Sequence, residues 1–217
     1  MNDRIDEVSG IEERPQGRRE WQGVVRSLVL PVLIVATIVG VLVWYERLRD
    51  DSGAESGIYG IVEIPAALNP TGESPSTDIG RMAPNFYLEL AGGGTLLLSD
   101  LRGQPVMVNF WATWCGPCRQ EMPEIVRAWR QGGVVVVAVN LQENPEIVRE
   151  FADEFGMGFP VVIDRTGEVA SAWRIGGPIE GIPASYFIDA DGIVRDRHFG
   201  PLDAERLEEA LATIAPD

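Results

Sequence analysis

Residues 105–123 read PVMVNFWATWCGPCRQEMP, an apolar run of strand length that turns at Cys-Gly-Pro-Cys into a helical pattern. A buried strand feeding straight into a helix belongs to layered α/β architectures, with the helix laid back over the sheet. Cys115 and Cys118, the only cysteines in the chain, sit at the corner.

The flanking pattern repeats the alternation. NFYLEL and TLLL bracket Gly92–Gly94 and predict a hairpin. VVVVAVN, residues 134–140, is β-branched almost throughout and fits a strand buried on both faces. PEIVREFADEF predicts a helix opened by Pro145, and FPVVID a short strand. Asp191-Gly192 lies between two apolar runs, a hairpin signal, and DAERLEEALATI closes the chain as an amphipathic helix. One α/β domain is expected over residues 82–217.

Ahead of it lies LVLPVLIVATIVGVLVWY, residues 28–45, without a single charge. Eighteen such residues nearly cover a bilayer core, and Trp44 and Tyr45 suit its interface. The flank WYERLRDD lacks a small-residue cleavage site, so an uncleaved transmembrane anchor is expected rather than a signal peptide. Arg14, Arg18, Arg19 and Arg26 precede the segment and only Arg47 and Arg49 closely follow it. That bias places residues 1–27 in the cytoplasm as a short tail and the domain outside the cell membrane. Residues 46–81, rich in Gly, Pro, Ser and acid, read as a flexible linker, interrupted by the apolar IYGIVEIPAAL. Net charge is −15, and all 18 basic residues are Arg. Such an acidic chain repels phosphate backbones, so nucleic acid is not expected as a partner.

Two cysteines and one histidine fall short of the four ligands of a structural zinc site, so no metal is expected. A disulfide closing so short a loop stabilises little. Redox chemistry fits better. Cys115 stands where backbone N–H groups at a helix N-terminus favour a thiolate, exposed at the corner. Gly116-Pro117 shapes the turn, and Cys118, one turn deeper, is the resolving thiol. On the helix, Cys118, Met122, Ile125, Val126 and Trp129 form one apolar face, with Glu121 on its border. Trp111 reads as core and Trp114 as exposed.

NFWATWCGPCRQEMP, together with MAPNFYLEL, GIPASYFIDADG and HFGPL, resembles the membrane-anchored TlpA-, ResA- and CcmG-like thioredoxin-family thiol–disulfide oxidoreductases over residues 80–217. The resemblance implies a thioredoxin fold, a mixed sheet flanked by helices, with an added N-terminal hairpin and no cofactor. It implies that Pro183 is cis and that the backbone of Ile182 pairs with an extended client, a β-augmentation. Trp114, Gly116 and Pro117 complete the expected client-contact residues. An acid recurs in the family at the place of Glu121, implying a proton carrier for Cys118; the alternative is a solvated helix-border Glu. Pro123 is expected to kink the helix. Thioredoxins proper carry a buried Asp in the strand before the site, where this chain has Asn109. The approach to the cis-proline is also longer, by Gly176–Glu180.

The resemblance further implies clients with protein disulfides, such as apocytochrome c or copper-site proteins of oxidase assembly, and a transmembrane thiol electron donor. The expected direction is client reduction in a bacterial extracytoplasmic compartment. Three other functions remain open to such a chain: a disulfide-forming oxidant, a copper chaperone using His198, and a peroxiredoxin-like peroxidase. The last is opposed by Val108 and Ala112, where a peroxidatic cysteine would want Pro and Thr or Ser.

Overall fold

The computed structural model describes residues 31–43, 59–176 and 181–215. Two compact units divide the chain, residues 1–54 and 55–217. In the first, residues 31–43 form a helix, α1, all of whose residues are exposed. Its one hydroxyl, Thr37, is satisfied within the helix by the carbonyls of Leu33 and Ile34, at 2.9 and 2.8 Å. Among the described residues no helix is long and apolar enough to cross a membrane. Both ends of the expected 28–45 span lie outside the described residues.

The second unit is built on strands β1 (Gly60–Ile61), β2 (Phe86–Leu90), β3 (Thr95–Leu97), β4 (Val106–Trp111), β5 (Val135–Leu141), β6 (Val161–Asp164), β7 (Ala184–Ile188) and β8 (Val194–Phe199). Helices α2 (Gly116–Gln131), α3 (Pro145–Phe155), α4 (Glu168–Ala172) and α5 (Ala204–Ala212) connect and close them. The sheet runs β1-β2-β6-β5-β4-β7-β8, with β3 paired to β2. β4, β5 and β6 are parallel, while β2, β7 and β8 run against their neighbours. This is the thioredoxin-like α/β fold, with the β2–β3 hairpin added at its N-terminal side.

Every residue of β4 is buried. Alternation along a strand sends Met107, Asn109 and Trp111 to one face and Val106, Val108 and Phe110 to the other. The first set joins Cys118, Met122, Ile125, Phe151 and Leu207 in a core under α2, α3 and α5. The second joins Phe86, Val139, Trp173 and Tyr186 in a core on the α4 side. Burying both faces is what permits the nearly continuous apolar run of β5. Helix ends follow the sequence signals: Asn144 and Asp203 cap α3 and α5 through their side chains, and Gly156 closes α3 in the left-handed region at φ 66°.

Part of the stretch expected as a flexible linker is ordered. Tyr59 stacks on Tyr87 with ring centroids 5.6 Å apart, and Gly60 and Ile61 pair with Tyr87 and Phe86. Further on, residues 80–83 pair with the turn into β8 and with its first residue. Gly80 N–H donates to the Val194 carbonyl at 2.8 Å, and Val194 N–H donates to Arg81 at 2.9 Å. Arg174 and Arg197 both reach the Asp78 carboxylate. Composition failed here because backbone pairing to strand edges and buried Thr77 supply the order that apolar content does not.

Candidate active site

β4 ends at buried Trp111, the chain reaches the surface at Trp114, and α2 begins at Gly116. Cys115 is the N-cap of α2; its Sγ accepts a hydrogen bond from Cys118 N–H at 3.2 Å. Pro117 sits in the first turn, where its missing N–H costs nothing. Cys115 and Cys118 are joined as a disulfide. Cys115 is 5% exposed and Cys118 is fully buried, so the expectation of a thiol open at the corner needs correction. The corner residues Gly116, Pro117 and Trp114 take the exposed positions instead, Trp114 at 71%. Trp111 is core, packed on Phe151 with centroids 4.5 Å apart.

The Ile182–Pro183 bond is cis. Ile182 is half-buried against both cores, and its backbone makes no hydrogen bond among the described residues. That leaves a donor and an acceptor for an incoming strand. Of the longer approach to this loop, residues 177–180 lie outside the described residues.

Glu121 is not on a border; it is 1% exposed. Helical spacing placed it at the edge of the apolar face, but the turn before α5, 81 positions on, covers it. Leu202 N–H donates to Oε2 at 2.9 Å, and the Asn109 amide donates to Oε1 at 2.8 Å. Burial pushes its pKa up from 4.5 to about 7, against the pull of these two bonds. A carboxyl that titrates near neutrality one turn beyond Cys118 can take a thiol proton and return it. Asn109, a departure from the thioredoxin pattern, is the residue that holds this acid. Pro123 lies inside α2, and α2 continues through it to Gln131.

Glu143 escaped the sequence reading. Its carboxylate accepts from Thr113 N–H at 2.7 Å, Thr113 Oγ1 at 2.5 Å and Asn140 Nδ2 at 2.7 Å. It thereby ties the loop two residues before Cys115 to the end of β5. Only the 30-residue separation hid it, since an acid between Gln and Asn carries no local signal. Glu143→Ala removes three hydrogen bonds and leaves buried Asn140 short of an acceptor. We expect it to lower stability by about 1–2 kcal/mol, read as a shifted urea midpoint, and to slow disulfide exchange several-fold.

Among the described residues no cluster of three His, Cys, Asp or Glu side chains could hold a metal ion. His198 lies on β8, paired in register with Ser185.

Residues 79–197 match the AhpC/TSA family. The chain is 33% identical over 208 residues to the thiol-disulfide oxidoreductase ResA of Oceanobacillus iheyensis, covering 93% of each protein. It is 38% identical to ResA of Geobacillus kaustophilus over 147 residues, 66% of this chain and 82% of that one. Among solved structures, a thiol:disulfide interchange protein of the thioredoxin family from Chlorobium tepidum superposes with a TM-score of 0.55 at 31% identity, over 65% of this chain and 97% of that one. A disulfide at the head of α2 in a thioredoxin-like fold, in a chain with these relatives, has one chemistry: the protein is a thiol–disulfide oxidoreductase and belongs to the AhpC/TSA family, in its ResA-like branch.

Proposed function

We propose that this oxidoreductase works as a membrane-tethered reductant of protein disulfides outside the cytoplasm. In that reading Cys115 thiolate attacks a client disulfide and forms a mixed disulfide, releasing one client thiolate. Cys118 then passes its proton to Glu121 and attacks Cys115 Sγ. The second client sulfur leaves as a thiolate and takes up the proton that Glu121 held, and the oxidised pair seen here remains. Two electrons go to the client, and a thiol donor in the membrane must restore them. Ile182 pairs with the client backbone, while Trp114, Gly116, Pro117 and Pro183 form the surface it meets.

The observation that carries the direction is how little stabilises a Cys115 thiolate. Its sulfur accepts a single N–H among the described residues. Arg119, the one cation in the first turns of α2, is engaged by Glu154 at 2.6 Å and by the faces of Phe151 and Phe155. The chain as a whole is strongly acidic. Strong oxidants of this fold draw their power from a stabilised reduced form, which such surroundings oppose. The Cys115–Cys118 couple should therefore have a standard reduction potential below about −200 mV, read by equilibration in glutathione buffers; a value near −120 mV makes the protein an oxidant.

The anchor reading rests on the uncharged 28–45 segment and on the exposed apolar side chains of α1, among them Val32, Leu33, Val35 and Leu42. Protease added to spheroplasts should remove the domain and spare the N-terminal tail. A shortened soluble form in the periplasm or medium contradicts the anchor. Tethering raises the effective concentration of membrane-bound clients, and the acidic domain favours basic ones at low salt. Apocytochrome c and the copper-site proteins of oxidase assembly are the client classes that fit. Loss of the protein should lower their maturation, and added small thiol should restore it.

A further inference from the structure

The hydrogen bonds around Glu121 leave one atom unaccounted for. Asn109 Nδ2 donates both its protons, to Glu121 Oε1 at 2.8 Å and to Ser185 Oγ at 3.0 Å. Its Oδ1 is buried and has no partner. Asn109, Glu121 and Ser185 are at most 1% exposed, and Asn109 and Ser185 face each other in the β4–β7 register. The Ser185 hydroxyl accepts from Asn109, and its own proton has no acceptor among the described residues. A stranded acceptor beside a stranded donor is an uncommon arrangement in a core where nearly all polar atoms are paired.

We propose that Asn109 is a turning amide, a positioning residue that presents Nδ2 to Glu121 when the acid is ionised and Oδ1 when it is protonated. The inference rests on the reading of Glu121 as the proton partner of Cys118. With the carboxylate ionised, the arrangement seen here gives it a charge-assisted bond. Once Glu121 takes a proton, its hydroxyl and Nδ2 would be two donors face to face. A half-turn about the last side-chain torsion, a broad two-fold well, exchanges Nδ2 for Oδ1. The two lone pairs of Oδ1 then accept from the Glu121 hydroxyl and from the Ser185 hydroxyl. Asn109 keeps two bonds in both states, and the unmatched atom changes from acceptor to donor. In the exchange step one S–H bond breaks at Cys118 and one O–H bond forms at Glu121. The electron pair stays on sulfur.

No salt bridge among the described residues involves Glu121. The titratable groups around it are Cys118 one turn earlier on α2, His198 on β8 opposite Ser185, and Asp203 after Leu202, which caps α5 through Arg206 N–H. On β4 its hydrogen-bond partner is the neutral Asn109, which in turn is bonded to the neutral Ser185 of β7.

The test is NMR on the full oxidised chain in detergent, labelled at Asn and Glu. The probe is the coupling across the hydrogen bond between Asn109 Nδ2 and the Glu121 carboxyl carbon, followed from pH 5.5 to 8.5. It should be present at high pH and vanish as the carboxyl carbon of Glu121 reports protonation, with one shared midpoint. In Glu121→Gln the side chain at position 121 mimics the protonated acid, so the coupling should be absent at every pH. In Asn109→Leu both forms of the acid lose a bond, the charge-assisted one being the stronger, so the midpoint of the exchange rate against pH should rise by about one pH unit. Coupling that persists after the carbon has titrated overturns the turning amide, as does a carbon that does not titrate in this range or an unmoved midpoint in Asn109→Leu. These readouts are separable from the assignment of Glu121. If Glu121→Gln keeps the wild-type dependence of exchange on pH, the proton-partner reading fails whether or not the amide turns.

Discussion

Replacing Cys115 with serine should abolish dithiol–disulfide exchange, by about a thousandfold or more, because the one thiol that remains, Cys118, is fully buried and out of a client's reach. Replacing Cys118 with serine should have a different result. Attack still occurs, but nothing resolves it, so mixed disulfides between Cys115 and its clients accumulate and appear as adducts on non-reducing gels. The asymmetry follows from position: Cys115 caps α2 beside exposed Trp114, Gly116 and Pro117, whereas Cys118 is fully buried on its inner face. Faster alkylation of Cys118 than of Cys115 in the reduced protein would invert the assignment.

The second large effect is at Glu121. As its pKa is raised to about 7 by burial, the wild-type rate of client reduction should rise with pH as the carboxylate forms. Glu121→Gln should flatten that rise and slow reduction by about a hundredfold above neutrality, the usual worth of a positioned acid or base. Stability should move the other way. Between the unfolded value of 4.5 and the folded value of about 7, the folded chain binds more protons than the unfolded one. The contribution of Glu121 is therefore fully present below pH 4.5 and lost as pH rises through 7. At pH 8 the ionised acid costs about 3 kcal/mol, so Glu121→Gln should be more stable there by up to that amount, with little difference at pH 4. Urea midpoints at the two pH values check the sign. A variant both slower and less stable at pH 8 would mean that Glu121 is a structural acid.

The chemistry of the corner was legible in sequence because its parts are local. A strand-length apolar run, two cysteines three apart and a proline between them define position and partner within a few residues. Other features were decided at a distance. The burial of Glu121 depends on Leu202, the role of Glu143 on Thr113, and the order of residues 59–81 on β2 and β8. Periodicity reports the face of a helix but not what a later loop lays over its border. The cis bond at Pro183 is a further case, known beforehand only through resemblance.

The segment along β8 has a consequence for crowding. β8 ends the sheet, and the outer edge of a strand is a template on which another chain can add. Here Gly80, Arg81 and Ala83 occupy the backbone groups of Gly192 and Val194, and charged Arg195, Asp196 and Arg197 follow. If the chain is tethered as proposed, copies on one membrane surface meet far more often than the same number in solution. The strap covers the start of the edge on which such neighbours would otherwise add, and the charged residues beyond it disfavour pairing along the rest. It leaves the opposite end of the domain, at Trp114 and Ile182, to meet other proteins.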